Sequence, residues 1–196
     1  MPFPVAFDVD RPPVFQRAHV VLRVGLLVVI GWIGHPLGLL WLGIPVVTAI
    51  LVSQKGGQRY VGEDGPKVTG VLNWLLDLVG YLALLTDRLP GKGGHPVRFE
   101  VERSGSPTVG SALKRIVSAI PSLVLLATLM LVGAVVWVIA AVLVLANQRY
   151  PESLWRFQYG IVRWEACLLA YLASLTDRYP PFALETGSVS PAAPPS

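Results

Sequence analysis

The sequence predicts a mainly α-helical membrane protein of two tandem repeats, each with a short β-strand, a transmembrane helical hairpin and an interfacial amphipathic helix. Three observations support this fold class. The 196-residue chain is 53% hydrophobic and only 14% charged, whereas soluble domains carry about 25% charged residues. Residues 24–54 and 116–148 contain no Lys, Arg, Asp or Glu, and about 20 apolar residues suffice to cross a bilayer. Finally, several motifs occur twice.

The repeated motifs define the two units. Residues 4–11 (PVAFDVDR) and 96–103 (PVRFEVER) agree at five of eight positions, at an offset of 92. QRY ends at Tyr60 and again at Tyr150, and YLALLTDRLP (81–90) matches YLASLTDRYP (171–180) at eight of ten positions. Such self-similarity indicates an internal duplication. The predicted organisation is unit 1 at 1–90, a linker at 91–95, unit 2 at 96–184 and a disordered Pro-, Ala- and Ser-rich tail at 185–196.

Each unit opens with a predicted strand, at 4–11 and at 96–103. Apolar residues such as Val5 and Phe7 alternate with polar ones such as Asp8, and this period of two is typical of a half-buried strand. Because an isolated strand is unstable, the two copies are predicted to pair with each other. The alternative is an extended segment that lies on the membrane surface.

The apolar stretches are predicted to be helical hairpins, at 18–53 and 110–146. Basic residues flank both ends of each stretch, which places both ends in the cytoplasm. Two similar units should also share one orientation, which needs an even number of crossings. Residues 34–38 (GHPLG) give the first hairpin a clear bend, and the second is expected to bend near 128–133. Two alternatives stay open: hairpins that enter and return without crossing, and one long tilted helix per unit.

Each unit then continues with an amphipathic helix, predicted at 67–86 and 152–176. In the first, polar residues recur every four positions; they are Thr69, Asn73, Asp77 and Tyr81. Amphipathic tryptophans accompany both helices, and the pattern favours a helix lying in the membrane interface. A third spanning helix per unit is the alternative, but it would bury charges such as Asp77 and Glu165 in lipid.

The second unit resembles the bacterial domain-of-unknown-function family numbered 4389. The residues that carry the resemblance are Arg149-Tyr150-Pro151, Gly160, Arg163-Trp164, Tyr171 and Thr176-Asp177-Arg178-Tyr179-Pro180-Pro181-Phe182. The first unit looks like a degraded copy, with Val61 and Leu89 where the pattern has Pro and Tyr. The resemblance implies a membrane protein of unassigned role in two tandem copies.

Two sets of residues are candidates for function. The first set is expected to hold anionic lipid headgroups, since Arg offers bidentate contacts; it comprises Arg59, Tyr60, Arg149, Tyr150, Arg156 and Arg163. The second set is predicted to form turns and ion pairs with a structural role; it comprises Thr86, Asp87, Arg88, Thr176, Asp177, Arg178, Arg11 and Arg103. No catalytic constellation, metal site or cofactor motif is recognised.

These features predict a non-enzymatic integral protein of the plasma (inner) membrane, with both termini cytoplasmic. The leading hypothesis is an accessory or scaffolding subunit of a larger membrane complex. The alternative is a protein that binds anionic lipids or shapes the membrane, and the third is a small transporter or enzyme component. The expected partners are membrane lipids and either a membrane protein or a second copy, without nucleic acid.

Overall fold

The computed structural model describes residues 3–33, 35–91, 94–180 and 184. Within these ranges the chain is mainly helical. In chain order the elements are β1 (Val5–Val9), α1 (Arg17–Ile33), α2 (His35–Lys55), α3 (Gly57–Arg59), α4 (Gly65–Leu82), β2 (Val97–Val101), α5 (Val109–Asn147) and α6 (Glu152–Leu172). A π-helical turn, Tyr60–Asp64, joins α3 to α4. The predicted tail and part of the predicted linker lie outside the described residues.

Strands β1 and β2 form an antiparallel two-stranded sheet, which confirms the predicted pairing. Phe7 lies opposite Phe99 at the centre of the ladder, and Val5 lies opposite Val101. The alternating apolar residues point to one face and are largely buried, whereas charged residues such as Glu100 point outward. The period of two in the sequence therefore sets which face of the sheet meets the helices.

The sheet is symmetric about its centre. Beyond the ladder, the N–H of Asp10 donates to the carbonyl of Pro96 at 3.0 Å, and the N–H of Glu102 donates to the carbonyl of Pro4 at 2.8 Å. These residues occupy corresponding positions in PVAFDVDR and PVRFEVER. At the sheet, an approximate two-fold rotation therefore relates the two segments.

Helices α4 and α6 cover the inner face of the sheet. The Tyr159 ring of α6 lies 5.5 Å from the Phe7 ring. Gly80 of α4 approaches β2 so closely that a Cβ there would lie 3.1 Å from Val97. These two helices overlap the predicted segments 67–86 and 152–176 and end a few residues earlier.

The polar stripe of α4 faces the protein interior. Asp77 is fully buried; its carboxylate accepts the N–H of Val97 at 3.0 Å and lies 2.5 Å from Nδ1 of His95. Tyr81 is also buried, and its hydroxyl lies 3.0 Å from Nδ1 of His19. Asp77 and Tyr81 therefore tie α4 to the start of β2 and to α1, because their polar groups have partners inside the fold.

Helix α5 is continuous from Val109 to Asn147, so the predicted second hairpin at 110–146 is wrong. A capping box fixes its start: the Thr108 hydroxyl accepts the Ser111 N–H, and the Ser111 hydroxyl accepts the Thr108 N–H. A helix of 39 residues is about 58 Å long at 1.5 Å per residue.

The two residues that suggested a bend in α5 have other roles. Pro121 lies inside the helix without ending it. Gly133 lets α6 approach, since a Cβ there would lie 3.0 Å from Ile161 Cδ1 and 3.3 Å from Gln158 Oε1. A helix breaker in the sequence therefore marks a packing contact here rather than a turn.

The predicted first hairpin at 18–53 is also wrong, because the two ends of the α1–α2 pair lie far apart. Near the start of α1, Arg17 donates to the carbonyl of Ala146 at 2.8 Å, close to the C-terminus of α5. Just beyond α2, Gly57 lies against the backbone of Pro107, next to the N-terminus of α5. The pair therefore runs antiparallel to α5 in one direction, as the alternative of one long helix per unit requires.

The connection between α1 and α2 explains why the chain does not reverse. Helix α1 ends at Ile33 and α2 begins at His35. Antiparallel helices are usually joined by about two to five residues, and a single residue is too short for such a loop. Pro36 and Gly38 of the predicted bend lie inside α2, and Gly34 lies outside the described residues.

The elements form three layers. The sheet is the first layer, α4 and α6 are the second, and the α1–α2 pair with α5 is the third. Helix α6 shows this order directly. Its Tyr159 hydroxyl donates to the carbonyl of Phe7 in the sheet at 2.7 Å, whereas its Ile161 packs against Gly133 of α5.

The course of the α1–α2 pair can be measured with spin labels at the exposed positions Gln16 and Gln54, in a Cys167→Ala background. The observed fold places the labels about 50 Å apart, because two consecutive helices separate them at 1.5 Å per residue. Pulsed electron paramagnetic resonance measures this distance. A helical hairpin would instead bring the labels within about 25 Å of each other, and such a value would contradict the fold.

Candidate functional site

The outer side of the third layer is an exposed apolar surface, here called the apolar face. Leu131 of α5 is 74% exposed and Val28 of α1 is 67% exposed. The apolar face comprises Val21, Val24, Val28 and Val29 of α1, Val46, Val47 and Ile50 of α2, and Val117, Val124, Leu131, Val135, Val138 and Val142 of α5. Contiguous apolar surfaces of this extent mark sites of membrane or protein contact. Of the described helices, α5 is long and apolar enough to cross a membrane by length and composition.

The opposite side of the protein is charged. The outward-facing residues of the sheet are exposed and include Asp8, Arg98 and Glu100. Asp10, just beyond β1, lies 3.6 Å from Arg98 and 3.6 Å from Arg88. The molecule is therefore amphipathic across its layers, from the charged sheet to the apolar face.

A buried arginine of α1 holds the C-terminus of α4. Arg23 has no exposed surface; its Nε donates to the carbonyl of Tyr81 at 2.6 Å. Its Nη2 donates to the carbonyl of Thr86 at 2.5 Å and to the carboxylate of Asp87 at 2.8 Å. The guanidinium also lies 4.3 Å from the centre of the Tyr81 ring. This group of four residues is called the first arginine cluster.

The same contacts occur in the other half of the chain. Arg115 of α5 donates to the carbonyls of Tyr171 at 2.9 Å and Thr176 at 2.5 Å, and it pairs with the carboxylate of Asp177. Its guanidinium lies 4.6 Å from the centre of the Tyr171 ring. These four residues form the second arginine cluster. Each cluster joins a long helix of the third layer to the C-terminal end of a second-layer helix.

Both clusters donate to carbonyl groups in and just beyond the last turn of a helix. Helices α4 and α6 end alike, with a left-handed residue, Leu84 (φ 63°) and Ser174 (φ 53°), two positions beyond the last helical residue. The carbonyls in and beyond the last turn then need donors, and a cation there also opposes the negative end of the helix dipole. The arginines supply both.

The predicted turn and ion-pair residues lie at these helix ends and around the sheet. The hydroxyls of Thr86 and Thr176 accept the N–H groups of Arg88 and Arg178 at 3.3 and 3.2 Å. Arg11 donates to the carbonyl of Tyr150 at 2.8 Å and lies over the Trp155 ring. The Arg103 side chain packs against Gly65, at the start of α4.

The structure removes the two tyrosines from the predicted headgroup set. Tyr60 is fully buried, and its hydroxyl donates to the carbonyl of Ala173 at 2.5 Å. Tyr150 is 4% exposed and packs edge-on against Phe15. Both rings therefore belong to the core, where they cannot reach a headgroup at the surface.

The predicted headgroup arginines do not form one site. Arg59 is exposed beyond α2, whereas Arg149 is exposed beyond α5, at the opposite end of the molecule. Arg156 forms an ion pair with Glu152 at 2.5 Å, one helical turn away, and Arg163 is half-buried in α6. A role in headgroup contact stays a prediction for Arg59 and Arg149, which flank the apolar face.

Sequence reasoning missed Arg23 and Arg115, which it treated only as basic flanks. A signal was present, since these arginines are separated by 92 residues, the offset that relates PVAFDVDR to PVRFEVER. It also missed that Gln158 and Glu165 point into the protein; both are buried in α6. Among the described residues, no group of three or more His, Cys, Asp or Glu could hold a metal ion.

Burial changes the protonation of Glu165. Removal of the carboxyl from water raises its pKa to about 7, because the charged form is poorly solvated inside the protein. Cys167 lies two residues further along α6, on the side that faces the sheet; it is buried as well, and burial raises its pKa to about 12. The thiol is therefore a packing group and not a nucleophile at neutral pH.

Comparison with known proteins finds a similarity to one protein family in one part of the chain. The family model described as a domain of unknown function (DUF4389) matches residues 110–183. This stretch contains nearly all of α5, the whole of α6 and the second arginine cluster, so this part of the chain is similar to that family. The matched residues lie in the second predicted unit. No curated protein and no solved structure matches the chain significantly.

Replacement of the two cluster arginines tests how much each contributes to the stability of the fold. We expect Arg23→Met to lower the free energy of unfolding by about 3–5 kcal/mol, because it removes the buried cation that pairs with Asp87 and the donor to the Thr86 carbonyl. Arg115→Met should cost less, since the side chain of Asp177 is 57% exposed and water can solvate it. Chemical denaturation in mild detergent measures both values. Arg98→Met, at an exposed position of the sheet, is the control, and an equal loss in all three variants would contradict the assignment.

The raised pKa of Glu165 predicts a pH-dependent stability. The folded protein keeps this proton up to about pH 7, whereas the unfolded chain loses it near 4.5. The free energy of unfolding should therefore fall as the pH rises from 4.5 to 7, by about 3 kcal/mol at most. Denaturation at several pH values measures this slope. Glu165→Gln should flatten it and Glu100→Gln should not; an unchanged slope in Glu165→Gln would assign the effect to another group.

Proposed function

We propose that this protein is a non-enzymatic membrane protein that lies in one leaflet, with its apolar face in the hydrocarbon and its sheet in the cytoplasm. The observation that supports this proposal is the position of the sheet beside α5. The sheet packs on α4 and α6, and these helices run alongside the long helices of the third layer.

The position of the sheet argues against a spanning α5. If α5 crossed the bilayer, the centre of the sheet would lie at the same depth as the middle of that helix. Asp8, Arg98 and Glu100 are exposed there, and charged side chains at the bilayer centre cost several kcal/mol each. With α5 in the membrane plane, the same residues face water at no such cost.

An in-plane orientation also fits the flanking charges. Arg59 and Arg149 are exposed at opposite ends of the third layer, where both would lie at headgroup depth. Basic residues at this depth are attracted to anionic lipids by about 1 kcal/mol each. The apolar face then enters the hydrocarbon between two basic ends.

We further propose that the chain is two tandem copies of the matched domain. The arginine clusters have the same contacts in both halves, and the strand register is symmetric about Phe7 and Phe99. A two-fold axis perpendicular to the sheet gives both copies the same depth in one leaflet. This is how the two units share an orientation without any crossing.

Among the roles expected from the sequence, this geometry favours the lipid-binding and membrane-shaping alternative over an accessory subunit. Two long helices inserted into one leaflet increase the area of that leaflet alone. The apolar face meets lipid directly and requires no protein partner to cover it.

Accessibility of single cysteines tests the orientation. The positions are Gln16 and Gln54, at the two ends of the α1–α2 pair, and Glu100, on the sheet, each in a Cys167→Ala background. We expect a membrane-impermeant maleimide to label all three from the cytoplasmic side, in inside-out vesicles, and none in right-side-out vesicles.

Two other outcomes would replace the proposal. Labelling of Gln16→Cys and Gln54→Cys from opposite sides, with Glu100→Cys protected, would show that α5 crosses the bilayer. Recovery of the protein as a water-soluble dimer would show that a second copy covers the apolar face. Val135→Lys, which puts a charge on the apolar face, should reduce membrane recovery, whereas the matched Glu100→Lys on the sheet should not.

A further inference from the structure

A cavity of about 400 Å³ lies between α1, α4, α5 and α6. Its wall is almost entirely apolar, and the lining residues that matter here are Leu27, Met130, Trp137, Val138, Gln158 and Glu165. Small-molecule sites are usually cavities of about 300–1,000 Å³ with a few placed polar groups. This cavity has that size and that composition.

Two polar side chains that line the cavity each have an oxygen atom without a hydrogen-bond partner in the protein. Gln158 is 9% exposed and Glu165 is 6% exposed. Gln158 Oε1 and Glu165 Oε2 are buried without a hydrogen bond. The indole of Trp137, which also lines the cavity, is not available as a donor to these oxygens, because its Nε1 already donates to the carbonyl of Leu82 at 2.8 Å. An unpaired buried polar group costs about 1–3 kcal/mol, so a donor supplied by a ligand would remove that penalty.

The first half of the chain shows that the fold does not need these polar groups. At the offset of 90 residues that relates α4 to α6, the counterparts of Gln158 and Glu165 are Val68 and Leu75. Both are half-buried apolar residues that pack near the core. The polar pair is therefore an addition to the second half, at the wall of a cavity.

The cavity opens towards the apolar face. Its lining residues Leu27, Met130 and Val138 are 37%, 44% and 56% exposed, and Val138 belongs to that face. This step rests on the proposed function: with the apolar face in a leaflet, a ligand would enter from the hydrocarbon and not from water.

We propose that this cavity binds an uncharged single-chain lipid whose head group carries hydroxyl donors, such as a monoacylglycerol. The alkyl chain would occupy the apolar part of the cavity; the hydroxyls, which can both donate and accept, would donate to Gln158 Oε1 and form hydrogen bonds with the Glu165 carboxyl. A fatty acid is disfavoured, because no cation among the described residues that line the cavity could pair with its carboxylate.

Photolabelling tests the site. The probe is a monoacylglycerol with a diazirine in its chain, added to the purified full-length protein with phosphatidylcholine–phosphatidylglycerol vesicles and, in parallel, without vesicles. We expect adducts on residues 130–138 and 158–165, located by mass spectrometry. Unlabelled monooleoylglycerol should compete, whereas oleic acid should not.

The decisive test replaces Gln158 and Glu165 with the residues found at the corresponding positions of the first half. Gln158→Val with Glu165→Leu should reduce labelling of the cavity at least tenfold, since each lost hydrogen bond of about 1.4 kcal/mol weakens binding tenfold. The fold should persist, because the corresponding positions of α4 already hold these residues. Glu100→Leu removes the same charge from the sheet and should leave labelling unchanged.

The outcomes separate the ligand site from the membrane proposal. Cavity labelling that depends on Gln158 and Glu165 supports the site in either arm, even if the protein fails to bind vesicles and the membrane proposal falls. Labelling spread evenly over the apolar face, or equal in the double variant and the wild type, overturns the site even if the protein binds vesicles normally.

Discussion

The pairing of β1 with β2 fixes how the two halves of the chain face each other. Because Phe7 lies opposite Phe99 in an antiparallel ladder, each strand leads out of the sheet at the opposite end from its partner. The segments that follow therefore reach the third layer from opposite ends. The α1–α2 pair and α5 must then run side by side in opposite directions, with α4 and α6 antiparallel between them and the sheet.

The arginine clusters convert this arrangement into a rigid one. Each guanidinium reaches from a long helix to the end of a second-layer helix, where several backbone carbonyls need donors. Arg suits this task better than Lys because its planar group offers several donors and can also stack on a tyrosine ring. The long helices have few polar groups of their own, so these contacts fix their register against the second layer, where apolar packing alone would tolerate sliding.

The local structure could be read from the sequence, whereas the course of the long helices could not. Alternation predicted both strands, and the repeat predicted that they pair, because both features depend on neighbouring residues or on direct comparison. The prediction of two hairpins was wrong because Arg17, Arg23 and Arg115 were interpreted as charges that stay in the cytoplasm. In the structure they donate to backbone carbonyls, and Arg23 and Arg115 are buried. A count of flanking charges cannot distinguish an arginine in water from one that closes a helix end.

The symmetric strand pair also bears on a chain that would contain only one of the two predicted units. Such a chain would have one strand with both edges unpaired. The inner face of that strand would be only half covered, and an isolated strand of this kind is unstable. A second molecule could supply the missing strand in the same register, since Phe7 and Phe99 occupy equivalent positions. If the chain is a duplication, as proposed above, it corresponds to a homodimer fused into one polypeptide, in which the two halves are free to diverge, as Gln158 and Glu165 differ from Val68 and Leu75.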